Sequence, residues 1–231
     1  MIINLSGKNV VIKPLVPEDE FMKAVNSTIF TRWVDGLHLN FNLKSITVHK
    51  VFMFGNRVGF IIAEADVTHN GKKVPGITFL RGDSVSIMPV ITCGDKTYTV
   101  TVTEPRVPIA FNRQCGLPCG MVDGDTVNVA ALKELQEEVG PEFEITSSDL
   151  VNIGRFPLSS GGCDEYMDLT FFRKEVTEDV LNAINGRMNI SEKESEQILV
   201  KVIEIDDIVN IENVDARTLL SYHLWKSKYG Q

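Results

Sequence analysis

The chain has 231 residues, 43% of them apolar and 23% charged. That suits one large domain, or a domain carrying a small extra module, and it excludes the disordered, collagen-like and membrane-spanning classes. With 23 basic against 31 acidic residues the net charge is −8, and the basic residues are scattered. No nucleic acid or membrane partner is therefore expected, and an anionic ligand must be held by local arginines, a helix N-terminus or a bridging cation.

The first twenty residues contain Glu18, Asp19 and Glu20 and no continuous apolar stretch. No secretory or transit signal is read there, and a cytoplasmic address is the expectation. Pro17 and the three acids start a helix, and Phe21, Ala24, Val25, Ile29 and Trp33 follow at helical spacing, which predicts one or two helices over 17–37. Lys44 to Val67 is rich in β-branched and aromatic residues around Gly55-Asn56-Arg57, the pattern of paired strands about a turn. Thr68 to Lys72 is a second turn. Strands are predicted at 76–80, 85–91 and 97–102, the last two joined through Cys93-Gly94-Asp95. These signals divide the chain into a β-rich N-terminal module with leading helices, 1–72, and a main domain, 73–231.

Within the main domain a Gly/Pro-rich stretch precedes a helix at 127–139, strands at 150–156 and 167–172, a helix after Thr177, a strand at 198–204 and a last helix from Asp215 to about Lys228. This is an α/β (α+β) order in which helices sandwich a sheet. Leu219, Leu220, His223 and Leu224 share a face of the last helix, which makes His223 a core or boundary residue and not a ligand. The four cysteines lack the second pair or clustered histidines of a zinc site and read as free thiols.

The most informative segment runs from Gly120 to Gly140. Glu134, Glu137 and Glu138 stand at i, i+3 and i+4 and share one helix face. Val129, Leu132, Leu135 and Val139 lie mainly elsewhere, available to a sheet, and Gly140 stops the helix as the residue after its C-cap. Three carboxylates on one face repel one another unless a cation neutralises them, and hard oxygen donors suit Mg²⁺ or Mn²⁺. Helix composition alone fits a solvated acidic face equally well.

Together with its flanks this segment resembles the Nudix box. Glu134, Leu135, Glu137, Glu138 and Gly140 match in register. Four residues, not five, separate Gly120 from Asp125, Asp125 stands where glutamate is usual, Lys133 replaces an arginine and Pro141 replaces an aliphatic residue. Lysine lacks the planar fork of arginine, so the salt bridge that orients a neighbouring glutamate is expected to be looser. Further stretches are similar to the ADP-ribose and ADP-sugar pyrophosphatases of that family, most of all to the plant-type enzymes: Thr103 to Pro108, Leu117 to Met121 and Phe156 to Glu165 with its Ser160-Gly161-Gly162-Cys163-Asp164-Glu165, and also Met53 to Phe60, Lys73 to Gly76 with Arg81-Gly82, and Val214 to Arg217.

The resemblance implies a Nudix α/β/α sandwich whose N-terminal module pairs two subunits, each lending residues to its partner's site. It implies Mg²⁺, with Mn²⁺ able to substitute, on Glu134, Glu137, Glu138 and the carbonyl of Cys119, and it makes Glu165 the general base. The expected reaction cleaves the pyrophosphate of a small nucleotide sugar, ADP-ribose or ADP-glucose, to AMP and a sugar phosphate. Arg106 is the first candidate to clamp phosphate, with Arg81 and Arg113 behind it. Gly161 and Gly162 would let the loop turn sharply or pass close to phosphate. Trp33 is placed either in the core or against adenine. Three alternatives stay open: a loop that only joins two strands and leaves Glu165 exposed, Asp164 as the base, and a different function. That function is either a weakened member sensing a nucleotide sugar, or a hydrolase of another nucleotide such as a UDP-sugar. The N-terminal module's many apolar residues, among them Val51, Phe52, Met53, Phe54, Phe60, Ile61 and Ile62, need a cover that a second copy or the main domain could provide.

Overall fold

Tight turns at residues with positive φ set the strand pairing of the first eighty residues. In the computed structural model, which describes residues 1–191 and 196–230, Ser6-Gly7 (φ 48° and 87°) joins β1 (Ile2–Leu5) to β2 (Lys8–Pro14). Asn70-Gly71 (φ 49° and 74°) joins β4 (Arg57–His69) to β5 (Lys72–Val74). Both are the paired left-handed conformations that match strand twist. Between them lie α1 (Glu18–Val25), α2 (Thr28–Asn40) and β3 (Asn42–Phe54), and β6 (Ile77–Leu80) follows. Ser27 caps α2, its hydroxyl accepting the Phe30 N–H at 3.3 Å. Among the described residues these strands form a sheet ordered β1-β2-β3-β4-β5, with β6 also on β4. Odd-numbered residues of β4 from Ile61 to Val67 point inward against Phe21, Ala24, Phe30 and Val34 of the helices, the alternation of a half-buried sheet.

The second sheet is built from β7 (Ser84–Cys93), β8 (Lys96–Arg106), β9 (Phe111–Gly116), β10 (Cys119–Met121), β11 (Val151–Pro157), β12 (Tyr166–Glu175), β13 (Met188–Ser191) and β14 (Glu196–Glu204). Its order is β11-β12-β7-β8-β14-β13, with β10 on β7 and β9 on β8. β7 pairs with β8 only near their shared turn, at Ile91 to Cys93, and its beginning, Ser84 to Ser86, takes β10 instead. Pro89, which has no N–H to offer, falls between those two stretches. Alternate residues of β7 feed two cores. Val85, Ile87 and Ile91 pack with Ala130, Ala131 and Leu135 of α3 (Val127–Glu138) and Leu181 and Ile184 of α4 (Glu178–Ile184). Met88 and Val90 pack with Tyr222 and Trp225 of α5 (Ala216–Tyr229). Helices on both faces make the α/β/α sandwich that the motif implied. Among the described residues no helix is long and apolar enough to cross a membrane, and all four cysteines are free thiols.

The chain divides into two compact units, Met1–Asp83 with Pro157–Tyr166, and Ser84–Phe156 with Met167–Gln231. The first thus reaches past residue 72 and also takes in the loop between β11 and β12. Main-chain bonds explain that membership: Phe79 N–H donates to Gly162 O at 2.8 Å and Asp164 N–H to Phe79 O at 3.3 Å.

Two helix faces differ from the sequence expectation. On α3 the buried residues are Ala130, Ala131, Leu135 and Glu138, whereas Val129 is 38% exposed; two alanines let the helix lie close to the sheet and turn Val129 outward. On α5 the buried face is Thr218, Ser221, Tyr222 and Trp225, and His223 is exposed. Asp215 caps this helix through the Thr218 N–H at 2.8 Å, and the Thr218 hydroxyl in turn accepts the Leu117 N–H at 2.9 Å. That contact and the large area of Trp225 fix the rotation of α5.

The C-terminal carbonyls of α3 are taken up by distant side chains. Arg187 donates to Val139 O at 2.9 Å and pairs with Glu142, and the Asn189 amide donates to Glu138 O. The Arg187 hydrogen bond holds the Glu142 carboxyl below its ordinary value of 4.5, so this stabilisation is complete above that value and lost as pH falls through the lowered one. Arg187→Met should lower Tm by a few degrees at neutral pH. In melts run at successively lower pH the gap between parent and variant should narrow below 4.5; a gap independent of pH would show that Glu142 contributes nothing through Arg187.

Candidate active site

The helix that carries the acidic motif begins at Thr126, whose hydroxyl accepts the Val129 N–H, and its three glutamates have different surroundings. Glu138 is 5% exposed and its Oε2 accepts the Cys119 N–H at 3.0 Å. Glu134 is half-buried. Its carboxylate lies so close to Gly120 that a Cβ there would fall 1.8 Å from Oε1. Glu137 is exposed. Two of the three carboxylates therefore meet successive residues of one strand, Cys119 and Gly120, and only glycine leaves room for the second.

Among the described residues no group of three His, Cys, Asp or Glu side chains is set to hold a metal by itself. The donor chemistry nevertheless fits a hard cation. Mg²⁺ keeps several waters and is commonly held by one or two carboxylates together with substrate phosphates, which is what Glu134 and Glu138 offer, with Glu137 on the same helix face. Burial pushes the Cys119 thiol up to about 12, so at neutral pH it is protonated and no soft ligand.

Arginines stand beside this group. Arg106, half-buried, pairs with Glu104 two residues before it on β8. Burial raises the Glu104 carboxyl, against the opposing pull of Arg106 and Arg217. Arg217, at the start of α5, pairs with Asp215, whose Oδ2 lies 2.7 Å from where a Cβ at Gly116 would be. Arg217 also opposes the upward shift at Cys119, so its charge reaches the same stretch of chain as that of Arg106. In the sequence Arg217 closes the similar stretch Val214 to Arg217, with no role attached to it. Arg113 is exposed.

The remaining candidates belong to the N-terminal unit. Glu165 is 6% exposed, which removes the reading of an exposed carboxylate on a plain connection; Arg81 Nη1 lies 3.4 Å from its Oε2. Asp164 has both carboxylate oxygens engaged. Its Oδ1 accepts the main-chain N–H groups of Arg81 and Gly82 at 2.7 and 3.3 Å, and its Oδ2 accepts Arg32 Nη2 at 2.6 Å. Gly161 and Gly162 lie in a tight turn, in which the Gly162 and Cys163 N–H groups donate to Ser159 O at 3.1 and 2.9 Å. Neither has positive φ, and a Cβ at either would meet nothing within 4 Å, so the fold of this unit does not require glycine at these positions. Trp33 packs partly buried against the N-terminal core, its ring 6.2 Å from that of Phe30.

Residues 81–221 match the NUDIX domain family. Nudix hydrolase 14, chloroplastic, of Arabidopsis thaliana is 30% identical over 91% of this chain and 74% of its own. The chain belongs to the Nudix hydrolase family. A crystal structure of an ADP compounds hydrolase superposes with a TM-score of 0.51, at 18% identity over 82% of this chain and 98% of that one, a likeness of fold.

Family membership gives the departures in the Nudix box a meaning. Lys133 Nζ lies 2.5 Å from Asp125 Oδ2, so the lysine that replaces arginine meets the aspartate that replaces glutamate. The two changes answer each other across two turns of chain, as an exposed pair worth little to stability. Glu134 is next in sequence and depends on Gly120 for its place. Gly120→Ala should push the Glu134 carboxylate aside at little cost to the fold, because the displaced atoms end a flexible side chain. Hydrolytic turnover should fall at least about tenfold, less than the ~10²–10³-fold cost of deleting a stabilising group outright because the carboxylate is displaced and not removed, with Tm nearly unchanged. Parental turnover in a folded variant would place Glu134 outside the site.

Proposed function

We propose that this Nudix hydrolase cleaves the pyrophosphate linkage of ADP-sugars, ADP-ribose and ADP-glucose among them, to AMP and a sugar phosphate, using Mg²⁺ or Mn²⁺. The observation that carries the reading is the meeting of the Glu134 and Glu138 carboxylates at Cys119-Gly120. The resemblance of Thr103 to Pro108 and of Phe156 to Glu165 to the ADP-sugar pyrophosphatases supports the substrate class, as does the likeness of fold to a hydrolase of ADP compounds.

The mechanism follows from the charges. A pyrophosphate repels an approaching water and must release an anionic phosphate. Glu134, Glu137 and Glu138, with the carbonyl of Cys119, would hold the divalent cation, which supplies positive charge to the phosphates and eases deprotonation of the attacking water. Arg106 binds phosphate oxygens through its fork. Glu165 is the base that the resemblance implies for accepting the water's proton, and a general base contributes about 10²–10⁴-fold. Gly161 and Gly162, unneeded by the fold, leave the loop backbone bare for close approach to substrate.

The assembly is a homodimer in this reading. Phe52, Phe54 and Ile77 are 41, 48 and 69% exposed on the N-terminal sheet, a partly apolar face that a second copy would cover. Light scattering should return twice the chain mass of 25.7 kDa; a clean monomer at micromolar concentration contradicts it.

The substrate claim is tested with a panel of nucleoside diphosphate sugars and Mg²⁺, read by the nucleotide released. AMP from ADP-ribose or ADP-glucose, abolished by EDTA, is expected. Preference for UDP-sugars would overturn the choice of base, and undiminished turnover in EDTA would overturn the cation.

A further inference from the structure

The Glu165 loop is fixed from a part of the chain that no motif includes. Arg32, on α2, places Nη2 at 2.6 Å from Asp164 Oδ2 and Nη1 against Asp83 Oδ1. Asp83 Oδ1 also accepts the Tyr166 N–H at 3.4 Å. One guanidinium therefore reaches both neighbours of Glu165: residue 164 directly, and residue 166 through Asp83. The Asp164 side chain is 4% exposed, and its other oxygen is taken by the Arg81 and Gly82 main chain. The Glu165 carbonyl itself accepts the Leu158 N–H at 3.3 Å.

The same contacts set the carboxylate. By holding the Arg81 main chain, Asp164 fixes the root of the side chain whose Nη1 stands 3.4 Å from Glu165 Oε2. Asp164 thereby sets where this guanidinium meets the Glu165 carboxylate. The Arg32 side chain is 34% exposed, and ion pairs, half-exposed or buried, contribute little net stability, so stability is a weak reason to gather two aspartates and an arginine around one glutamate. From this geometry we infer that Arg32 and Asp164 are positioning residues for Glu165, the fork of Arg32 holding the residues on either side of it. The inference rests on Glu165 being the base.

The test is a double-mutant cycle on the full chain, with ADP-ribose and Mg²⁺ as the assay. Arg32→Met should lower kcat at least about tenfold, since misplacement by an ångström can cost about 10²-fold, with KM changed less than about twofold. Arg32→Lys keeps the charge but not the fork and should recover part of the loss. In a Glu165→Gln background, Arg32→Met should add almost nothing, because a base already removed cannot be misplaced. Asp164→Asn, which preserves shape, should repeat the pattern and guards against a fold defect in Arg32→Met, with near-UV circular dichroism reporting packing. If Glu165→Gln alone keeps the parental kcat, the base assignment falls and the inference with it. If Glu165→Gln is slow but Arg32→Met or Asp164→Asn multiplies that loss in full, or neither lowers kcat alone, the base stands and the positioning role is overturned.

Discussion

The hydrogen bond from the Cys119 N–H to Glu138 Oε2 is the constraint around which the C-terminal unit is arranged. A carboxylate left 5% exposed is costly unless its oxygens are engaged, and a main-chain donor at 3.0 Å engages one of them. To deliver it, α3 must lie close on the sheet, and Ala130 and Ala131 permit that approach. Once the helix is there, Glu134 stands one turn earlier against the next residue of the strand, and Gly120 has no side chain to resist it. Arg187 and Asn189 hold the far end of the helix by its carbonyls. The acidic pair is therefore placed by a strand on one side and by a capped helix end on the other.

The N-terminal unit meets a similar difficulty with another device. Its buried carboxylates, Asp164 and Glu165, sit on a loop of little regular structure, and such a loop cannot hold a side chain by its own hydrogen bonds. It borrows β6 for its main chain, through Phe79, and α2 for its charge, through Arg32. An arginine suits this place, because the Asp164 and Asp83 carboxylates lie on different nitrogens of one rigid fork.

Much of this was legible in the sequence, for reasons that differ by residue. Periodicity exposed α3, and the i, i+3, i+4 spacing placed three glutamates on one side, but it could not say that Glu138 is sunk while Glu137 stays in water. That depends on the rotation of the helix over β10, which two alanines decide. Likewise His223 followed the leucines of its helix face on paper, whereas the Thr218 hydroxyl bond to Leu117 turns the helix so that His223 is exposed. The Gly-Gly pair announced the tight turn closed by the Gly162 and Cys163 N–H groups on Ser159 O, but not that the turn would be made without positive φ. Arg32 lay beyond reach altogether: it is 132 residues from Asp164, and nothing local marks one arginine on a helix as the partner of a distant loop.

The role proposed for Glu134 and Glu138, gathered at Cys119-Gly120, is to hold the divalent cation used in hydrolysis. Electron paramagnetic resonance of Mn²⁺ titrated into the full chain, parent against Glu138→Gln, tests it without reference to any substrate. The account predicts that the parent binds Mn²⁺ and that Glu138→Gln, isosteric and one charge poorer, binds at least about tenfold more weakly while melting no lower in the absence of metal, since like charges on one helix face repel. Equal Mn²⁺ affinity in the two proteins would contradict it.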